Sequence, residues 1–491
     1  MKDMYINGQW ARGHNGESTK VLNPATEEIL DMVPNGNADD ALDAVAAAST
    51  AYQDWRWVTG LERADMLQLT AQKIQHHFDE VVNKLTLEEG KPMSENEEEV
   101  EWVIGTLNYY AGMARTYRGR LLAPAERSQF NFVMKEPFGV VACIVPFNYP
   151  LLLMIWKVAP ALAAGNTVVV KPALQTPLST LLLAEIAFDH FPAGVLNVIT
   201  GDAQIGESLV SHPEVPVIAF TGSVATGRRI ARLAADRVKR THLELGGKDA
   251  FVVAPDADIE TAVDAIAYSS LINAGQVCTS TERVYVPDNK YKAFSEAMAD
   301  YVKDLKLGPG LDPKTDMGPM AAESYRAKVE DHVTDAIQRG AKVLAGGRRP
   351  SQIEYGFYYE PTVLVDVDHS MKCMREETFG PTIPIMGYRN FDEALELVND
   401  SDFGLGACLR TNDAKLAKRF FEEIQAGTIW INDPLTDHYG GPFGGMKLSG
   451  NARELGEEGL ESFLETKHVH WDFDDQLKDY WYPYDRTSEA E

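Results

Sequence analysis

Cysteine is scarce in this chain. Four residues of 491, Cys143, Cys278, Cys373 and Cys408, lie far apart, with no CxxC pair and no histidine cluster at metal-ligand spacing. That scarcity excludes a disulfide-built scaffold and a zinc centre, so no metal is expected. Positive charge is also short, 46 Lys+Arg against 73 Asp+Glu, for a formal charge of -27. A surface of that sign repels phosphate backbones and anionic headgroups, so neither nucleic acid nor a membrane is an expected partner. Long apolar runs are missing too. The most apolar region, 139–170, is broken by Pro146, Asn148, Pro150, Lys157, Pro160 and Asn166, whereas a spanning helix needs about 20 uninterrupted apolar residues. The opening MKDMYINGQW has no basic segment followed by an apolar stretch, so no secretory leader is read and a cytoplasmic location is expected. There is no internal repeat and no low-complexity tract.

What is present is core material: 45% of residues are hydrophobic and 24% charged, enough for two or three packed domains. Residues 38–55 and 61–87 carry apolar side chains at helical spacing, so the first quarter of the chain reads as mostly helical. From Val140 onward, β-branched runs alternate with helices: VVACIV, a helix 151–164, NTVVVKP, a helix 178–189, VLNVITG, a helix 203–211, VIAFTGS. That alternation predicts a doubly wound parallel sheet. A second set, DAFVVAP (249–255), RVYV (283–286), KVLAGG (342–347), PTVLVDV (361–367) and GTIWIN (427–432), predicts a second α/β domain. The segments QFNFVMKEP (129–137) and LETKHVHWDF (464–473) would leave exposed edges if unpaired. They are expected to meet and to build an oligomer interface. The end of the chain, YDRTSEAE, reads as frayed and acidic.

Chemistry-bearing residues stand beside glycine and proline. Cys278 in NAGQVCTS and Glu244 in THLELGGK flank glycines that permit close backbone approach, and Asn148 lies in IVPFNYP. A thiolate attacking a carbonyl needs a base and donors for the oxyanion, which a carboxylate, a side-chain amide and a backbone N–H supply. Each residue alone has a plainer reading: a buried cysteine, a solvated charge, a turn. The run VIAFTGSVATG (217–227) places Gly222, Ser223 and Gly227 where a strand gives way to a helix, as a phosphate at a helix N-terminus would require. It lacks the full GxGxxG, so a simple strand–helix turn accounts for it as well.

With IVPFNYP, GNTVVVKPA, FTGSVATG, LELGGK, NAGQVCTS, EETFGP and PFGGMKLSG in this order and spacing, the chain resembles the aldehyde dehydrogenase family over residues 4–472. The resemblance implies an α/β fold with a Rossmann-like cofactor domain (1–118 and 138–246), a second α/β catalytic domain (247–448) and a small β oligomerisation element (119–137 and 464–491). It implies NAD(P)-dependent oxidation of an aldehyde to the carboxylic acid. Cys278 would be the nucleophile, passing through a thiohemiacetal and a thioester. Asn148 and the Cys278 N–H would hold the oxyanion, Glu244 would be the general base, and Lys157 and Glu454 a proton-relay pair. Lys171 would contact the adenosine ribose, Ser223 the pyrophosphate, Glu376 the nicotinamide ribose and Phe379 the ring, with Gly222, Gly227, Phe147 and Leu245 bordering the same site.

Three departures from the family pattern matter. Leu174 stands where many NAD-preferring relatives have glutamate, which removes an acceptor for the ribose and a repulsion against a 2′-phosphate, so NAD is expected with NADP open. Phe147 replaces the usual tryptophan. An aromatic tail, QLKDYWYPYD, extends past the last matched strand, where it would cover a neighbouring subunit or its own chain. The pocket would be lined by Tyr149, Leu152, Leu153, Trp156, Val277, Thr279, Leu435, Asp437, His438 and Phe443. Aromatic faces and Asp437 suit a cationic aldehyde such as betaine aldehyde or an aminoaldehyde, while Asp437 with His438 would suit a hydroxyaldehyde. Two rivals stay open: a CoA-acylating enzyme, against which Glu244 argues, and a cofactor-independent cysteine hydrolase. A homodimer or homotetramer is implied.

Overall fold

The computed structural model describes residues 1–484, so the acidic end of the chain, 485–491, lies outside the described residues. Two seven-stranded sheets carry the fold. The first has the order Arg240–Leu245, Val217–Gly222, Val140–Ile144, Thr167–Lys171, Leu196–Val198, all parallel, then Met4–Ile6 and Gln9–Ala11 as an antiparallel edge hairpin. The strand that comes first among the parallel ones, Val140–Ile144, sits centrally. The chain winds outward from it in one direction and then in the other, leaving a crevice beyond the strand ends where the winding reverses. Val140–Ile144 and Thr167–Lys171 are buried along almost their whole length, because helices cover both faces of a parallel sheet.

Leu245–Asp249 carries the chain into the second sheet: Lys342–Ala345, Thr362–Val365, Thr382–Tyr388, Thr281–Pro287, Asp249–Val253, Gly406–Arg410 and Thr428–Ile431, parallel except for its first strand. Leu464–Asp472 pairs antiparallel with Gln129–Pro137 from Leu464–Pro137 to Asp472–Gln129, so the two aromatic edge segments do meet. Among the described residues no helix is long and apolar enough to cross a membrane.

The first quarter of the chain is mostly helical, as its periodicity implies, but it opens with four short strands. Met4–Ile6, Gln9–Ala11, Ser18–Leu22 and Ile29–Pro34 are strands. They escape a periodicity reading because two have only three residues and Ser18–Leu22 opens with three polar residues and buries Val21 alone. The helical stretch 61–87 is two helices, Gly60–His76 and Phe78–Glu89, and the helix expected at 178–189 stops at Ile186.

One joint matters for function. The helix Pro150–Ala164 begins with proline, whose missing N–H is no loss at that position. The N–H groups of Leu151 and Leu152, free at a helix start, both donate to Glu99 Oε1 at 3.0 Å. Glu99 also pairs with Lys91 in full burial. This fastens the acidic helix Met93–Thr116 against the helix that follows Asn148 and Tyr149.

Candidate active site

Cys278 follows a tight turn whose residues Asn273, Ala274 and Gly275 all have left-handed backbone, with φ of 51°, 53° and 74°. At Gly275 a Cβ would stand 2.2 Å from the Gly380 carbonyl oxygen, so only glycine fits. Gln276 braces the turn, donating to the Asn273 carbonyl at 3.0 Å and accepting from the Ala321 N–H at 3.0 Å. The Asn148 amide donates to the Gln276 carbonyl at 2.9 Å, and the Asn148 carbonyl accepts from Asn273 Nδ2 at 2.9 Å and Lys91 Nζ at 3.2 Å. The side-chain amide of Asn148 is thereby oriented with one N–H still to give. Cys278, Asn148 and Leu153 line both a large cleft of about 660 Å³ and a narrow tunnel of about 90 Å³. The cysteine therefore stands where the two meet. Burial, followed by the charges of Asp249, Glu377, Glu244 and Asp437, pushes its thiol well up from the ordinary range. At rest it is a thiol, so attack requires a base.

Glu244, near the end of its strand, is 2% exposed, and among the described residues neither carboxylate oxygen has a hydrogen-bond partner. Burial, then repulsion from Glu454, raises its pKa well above the carboxylate range, with Lys157 and Arg453 opposing. Beside it Lys157 and Glu454 form a fully buried ion pair, and Lys157 Nζ also donates to Thr221 Oγ1 at 2.6 Å and the Leu153 carbonyl at 3.3 Å. Burial pushes Glu454 up, but Lys157 and His242 outweigh it and hold the carboxyl below its ordinary value. Two buried carboxyl groups are thus driven apart, Glu454 toward the charged form and Glu244 toward the neutral one, a division expected of groups that hand on a proton.

The large cleft opens at the carboxyl ends of the first sheet's strands. Gly222, Ser223, Leu245, Phe147, Phe379 and Lys171 line it, as does Leu174. Lys171 is 8% exposed, and among the described residues its ammonium donates to the Pro172 carbonyl alone, at 3.3 Å. Burial lowers its pKa to about 8, against the pull of Asp202. A buried cation without a carboxylate in contact is a site awaiting an acceptor. Ser223 caps the helix Val224–Ala235, accepting from the Thr226 N–H at 3.3 Å, and that helix start favours phosphate. Phe379, in left-handed backbone at φ 58°, meets Phe147 edge-on with ring centroids 5.8 Å apart, and Phe147 stacks on Tyr325 at 4.3 Å. These residues fit a dinucleotide: a donor for ribose, an anion site and an aromatic wall.

Three expectations require correction. Glu376 does not line the cleft; its side chain is 62% exposed, at 3.9 Å from His332. Glu377 lines it instead, accepting from the Gly247 N–H at 3.0 Å, and burial raises its pKa to about 7. The short helix Lys372–Arg375 ends just before the pair and sends the first glutamate outward. Gly227 does not face the cleft either. A Cβ there would come within 2.5 Å of the Leu245 side chain, so its part is close packing of helix on strand. His438 is exposed and outside the tunnel, its Nδ1 taken up by the Gly440 N–H at 3.0 Å.

Tyr149, Leu152, Leu153, Trp156, Val277, Thr279, Leu435, Asp437 and Phe443 line the tunnel. The sequence reading missed the contribution of the helix Met93–Thr116, which adds Glu95, Glu98, Glu99 and Trp102, and also missed Tyr268 and Ile272. Burial raises Asp437 to about 7 and, against Lys91, Glu95 to about 8. Trp156 packs on Phe443 at 5.0 Å. Among the described residues no lysine or arginine lines the tunnel.

Comparison with known proteins agrees with this geometry. The model of the aldehyde dehydrogenase family matches residues 10–469. A succinate-semialdehyde dehydrogenase [NADP(+)] of Escherichia coli is 38% identical over 466 residues, 94% of this chain and 96% of that one. A betaine aldehyde dehydrogenase of Bacillus subtilis is 36% identical over 473 residues, 95% and 96% of the two chains. The crystal structure of a betaine aldehyde dehydrogenase of Staphylococcus aureus with NAD+ superposes with a TM-score of 0.96 at 36% identity, covering 98% of this chain and 96% of that one. A family match over nearly the whole chain, with a half-buried cysteine between a nucleotide-sized cleft and a narrow tunnel, leads to one conclusion: the chain belongs to the aldehyde dehydrogenase family and is an oxidoreductase.

Proposed function

We propose that this protein oxidises a small cationic aldehyde to its carboxylic acid, with NAD as the electron acceptor and Leu174 leaving room for NADP. The observation that carries the reading is the position of Cys278 at the meeting of the large cleft and a tunnel ringed by carboxylates and aromatic faces. Glu244 in its ionised form takes the thiol proton and hands it to the Lys157–Glu454 pair; sulfur adds to the aldehyde carbon; Asn148 Nδ2 and the Cys278 N–H stabilise the oxyanion of the thiohemiacetal. A nicotinamide bound beside Phe379 would supply the acceptor for the hydride that leaves this carbon. Glu244 then draws a proton from water attacking the Cys278 thioester, and Lys157 with Glu454 passes that proton on. Lys171 and Ser223 would hold the adenosine half, and Glu377 and Phe379 the nicotinamide half.

Charge selects among aldehydes. Relatives act, by their names, on anionic and on cationic substrates. Here Glu95, Glu98 and Asp437 border the tunnel with no cation beside them in its lining. At ~6 Å and an effective dielectric of ~20, each of these groups contributes about 3 kcal/mol when ionised, attractive to an ammonium and repulsive to a second carboxylate. With His438 outside the tunnel, the hydroxyaldehyde reading loses half of its polar pair. Compare kcat/KM for betaine aldehyde and for 3,3-dimethylbutanal, its uncharged isostere, in wild type and Asp437→Ala. The reading expects the cation alone to suffer, and an equal loss for both would sink it.

The protein is further read as a cytoplasmic homo-oligomer. All four cysteines are free, which suits a reducing compartment. Leu121, Phe130, Trp471, Phe473, Tyr480 and Tyr482 are exposed on and beyond the small sheet, an apolar face of the kind a second copy covers.

A further inference from the structure

His242 lies two residues before Glu244 on the same strand, so its side chain falls on the same face. It is 5% exposed and stacked on Phe463 with ring centroids 5.6 Å apart. Its Nε2 is buried and makes no hydrogen bond, yet stands 3.6 Å from Glu454 Oε1. On its other side His242 lines a cavity of about 320 Å³, away from both cofactor and substrate. A buried imidazole nitrogen left unpaired beside a charged carboxylate needs a reason. Thioester hydrolysis supplies one. Water oxygen bonds to the acyl carbon, the carbon–sulfur bond breaks, one proton reaches the leaving sulfur, and the other must leave the protein once the acid ionises.

Resting on the function proposed above, we infer that His242 is the outlet of the relay: it takes the proton from Glu454 on Nε2 and releases one to water in the cavity behind it. Of the charged groups acting on Glu244, Glu454 is the strongest, so the path runs from Glu244 through Glu454 to His242. The groups around the imidazole are Glu454 and Lys157 on the inner side, and Lys135, Arg240, Glu461 and Glu465 around the cavity. The outer four are joined as Lys135–Glu461 at 3.4 Å and Arg240–Glu465 at 3.5 Å, so no net charge holds the proton back. His242 touches neither substrate nor cofactor and is a positioning residue for the proton.

The test is deacylation with p-nitrophenyl acetate, which needs no cofactor: a burst of nitrophenolate reports acylation of Cys278, and the following steady rate reports hydrolysis. For His242→Gln and His242→Ala the burst is expected intact and the steady rate down about tenfold or more. Added imidazole should restore His242→Ala, through the cavity, and leave His242→Gln unchanged. A steady rate and pH profile identical to wild type in both variants would overturn the inference, as would a rescue equal in the two. His242→Gln keeps the volume, so a folding failure of the alanine variant leaves the test standing. If wild type itself shows no Cys278-dependent burst, the failure belongs to the proposed function instead.

Discussion

The Lys157–Glu454 pair offers the sharpest perturbation, because both charges are buried and the pair is bonded to few other groups. Lys157→Met strands the Glu454 carboxylate with only His242 at 3.6 Å. Glu454→Leu strands an ammonium with Thr221 and a carbonyl. Leaving one buried charge uncompensated costs about 3–5 kcal/mol each, so the single variants add to roughly 6–10 kcal/mol. The double variant Lys157→Met/Glu454→Leu buries no charge and loses mainly the Thr221 bond, about 1–3 kcal/mol. A coupling of about 3 kcal/mol or more is therefore expected in a double-mutant cycle on urea midpoints read by tryptophan fluorescence. The pH profile of deacylation gives a second reading. Glu454 raises the Glu244 pKa and Lys157 lowers it. Glu454→Gln should switch deacylation on at lower pH, Lys157→Met at higher pH. Additive midpoints, or shifts of the same sign in the two variants, would refute the reasoning.

Asp437 and Glu95 titrate near 7 and 8, and acids gain charge as pH rises, so KM for a cationic aldehyde should fall about tenfold between pH ~6 and ~9, with KM for its uncharged isostere flat by initial-rate kinetics. Lys171→Met should raise the KM for NAD about 10–100-fold, the worth of a bond to a charged group; isothermal titration with NAD checks it as binding. Glu377→Gln should weaken the cofactor where Glu376→Gln changes kcat/KM by less than about twofold, as surface substitutions do. Gly275→Ala places a methyl 2.2 Å from the Gly380 oxygen and should displace the cysteine turn, read as lost iodoacetamide labelling of Cys278.

Much of the fold was legible from residue pattern alone. The runs VVACI, TVVVK and DAFVV are buried strands because β-branched residues fill them without interruption. That Cys278 and Asn148 come together was legible because glycines and prolines mark their turns. What escaped was orientation. Glu376 and Glu377 are neighbours of one chemical type, and only the end of Lys372–Arg375 decides which enters the cleft. The acidic helix Met93–Thr116 carries none of the motifs, yet Glu99 caps the helix after Tyr149, and Glu95 and Trp102 line the tunnel. His242 shows no motif at all; its place depends on Glu454, far along the chain.

The central claim is Cys278-dependent oxidation of an aldehyde by a nicotinamide cofactor. The direct measurement is absorbance at 340 nm with betaine aldehyde, an aminoaldehyde and a plain aliphatic aldehyde, each with NAD and NADP, for wild type and Cys278→Ala. Reduction by wild type, fastest with a cationic aldehyde and abolished in Cys278→Ala, is the expected result. Silence from wild type with every pair, or equal rates in Cys278→Ala, would contradict it.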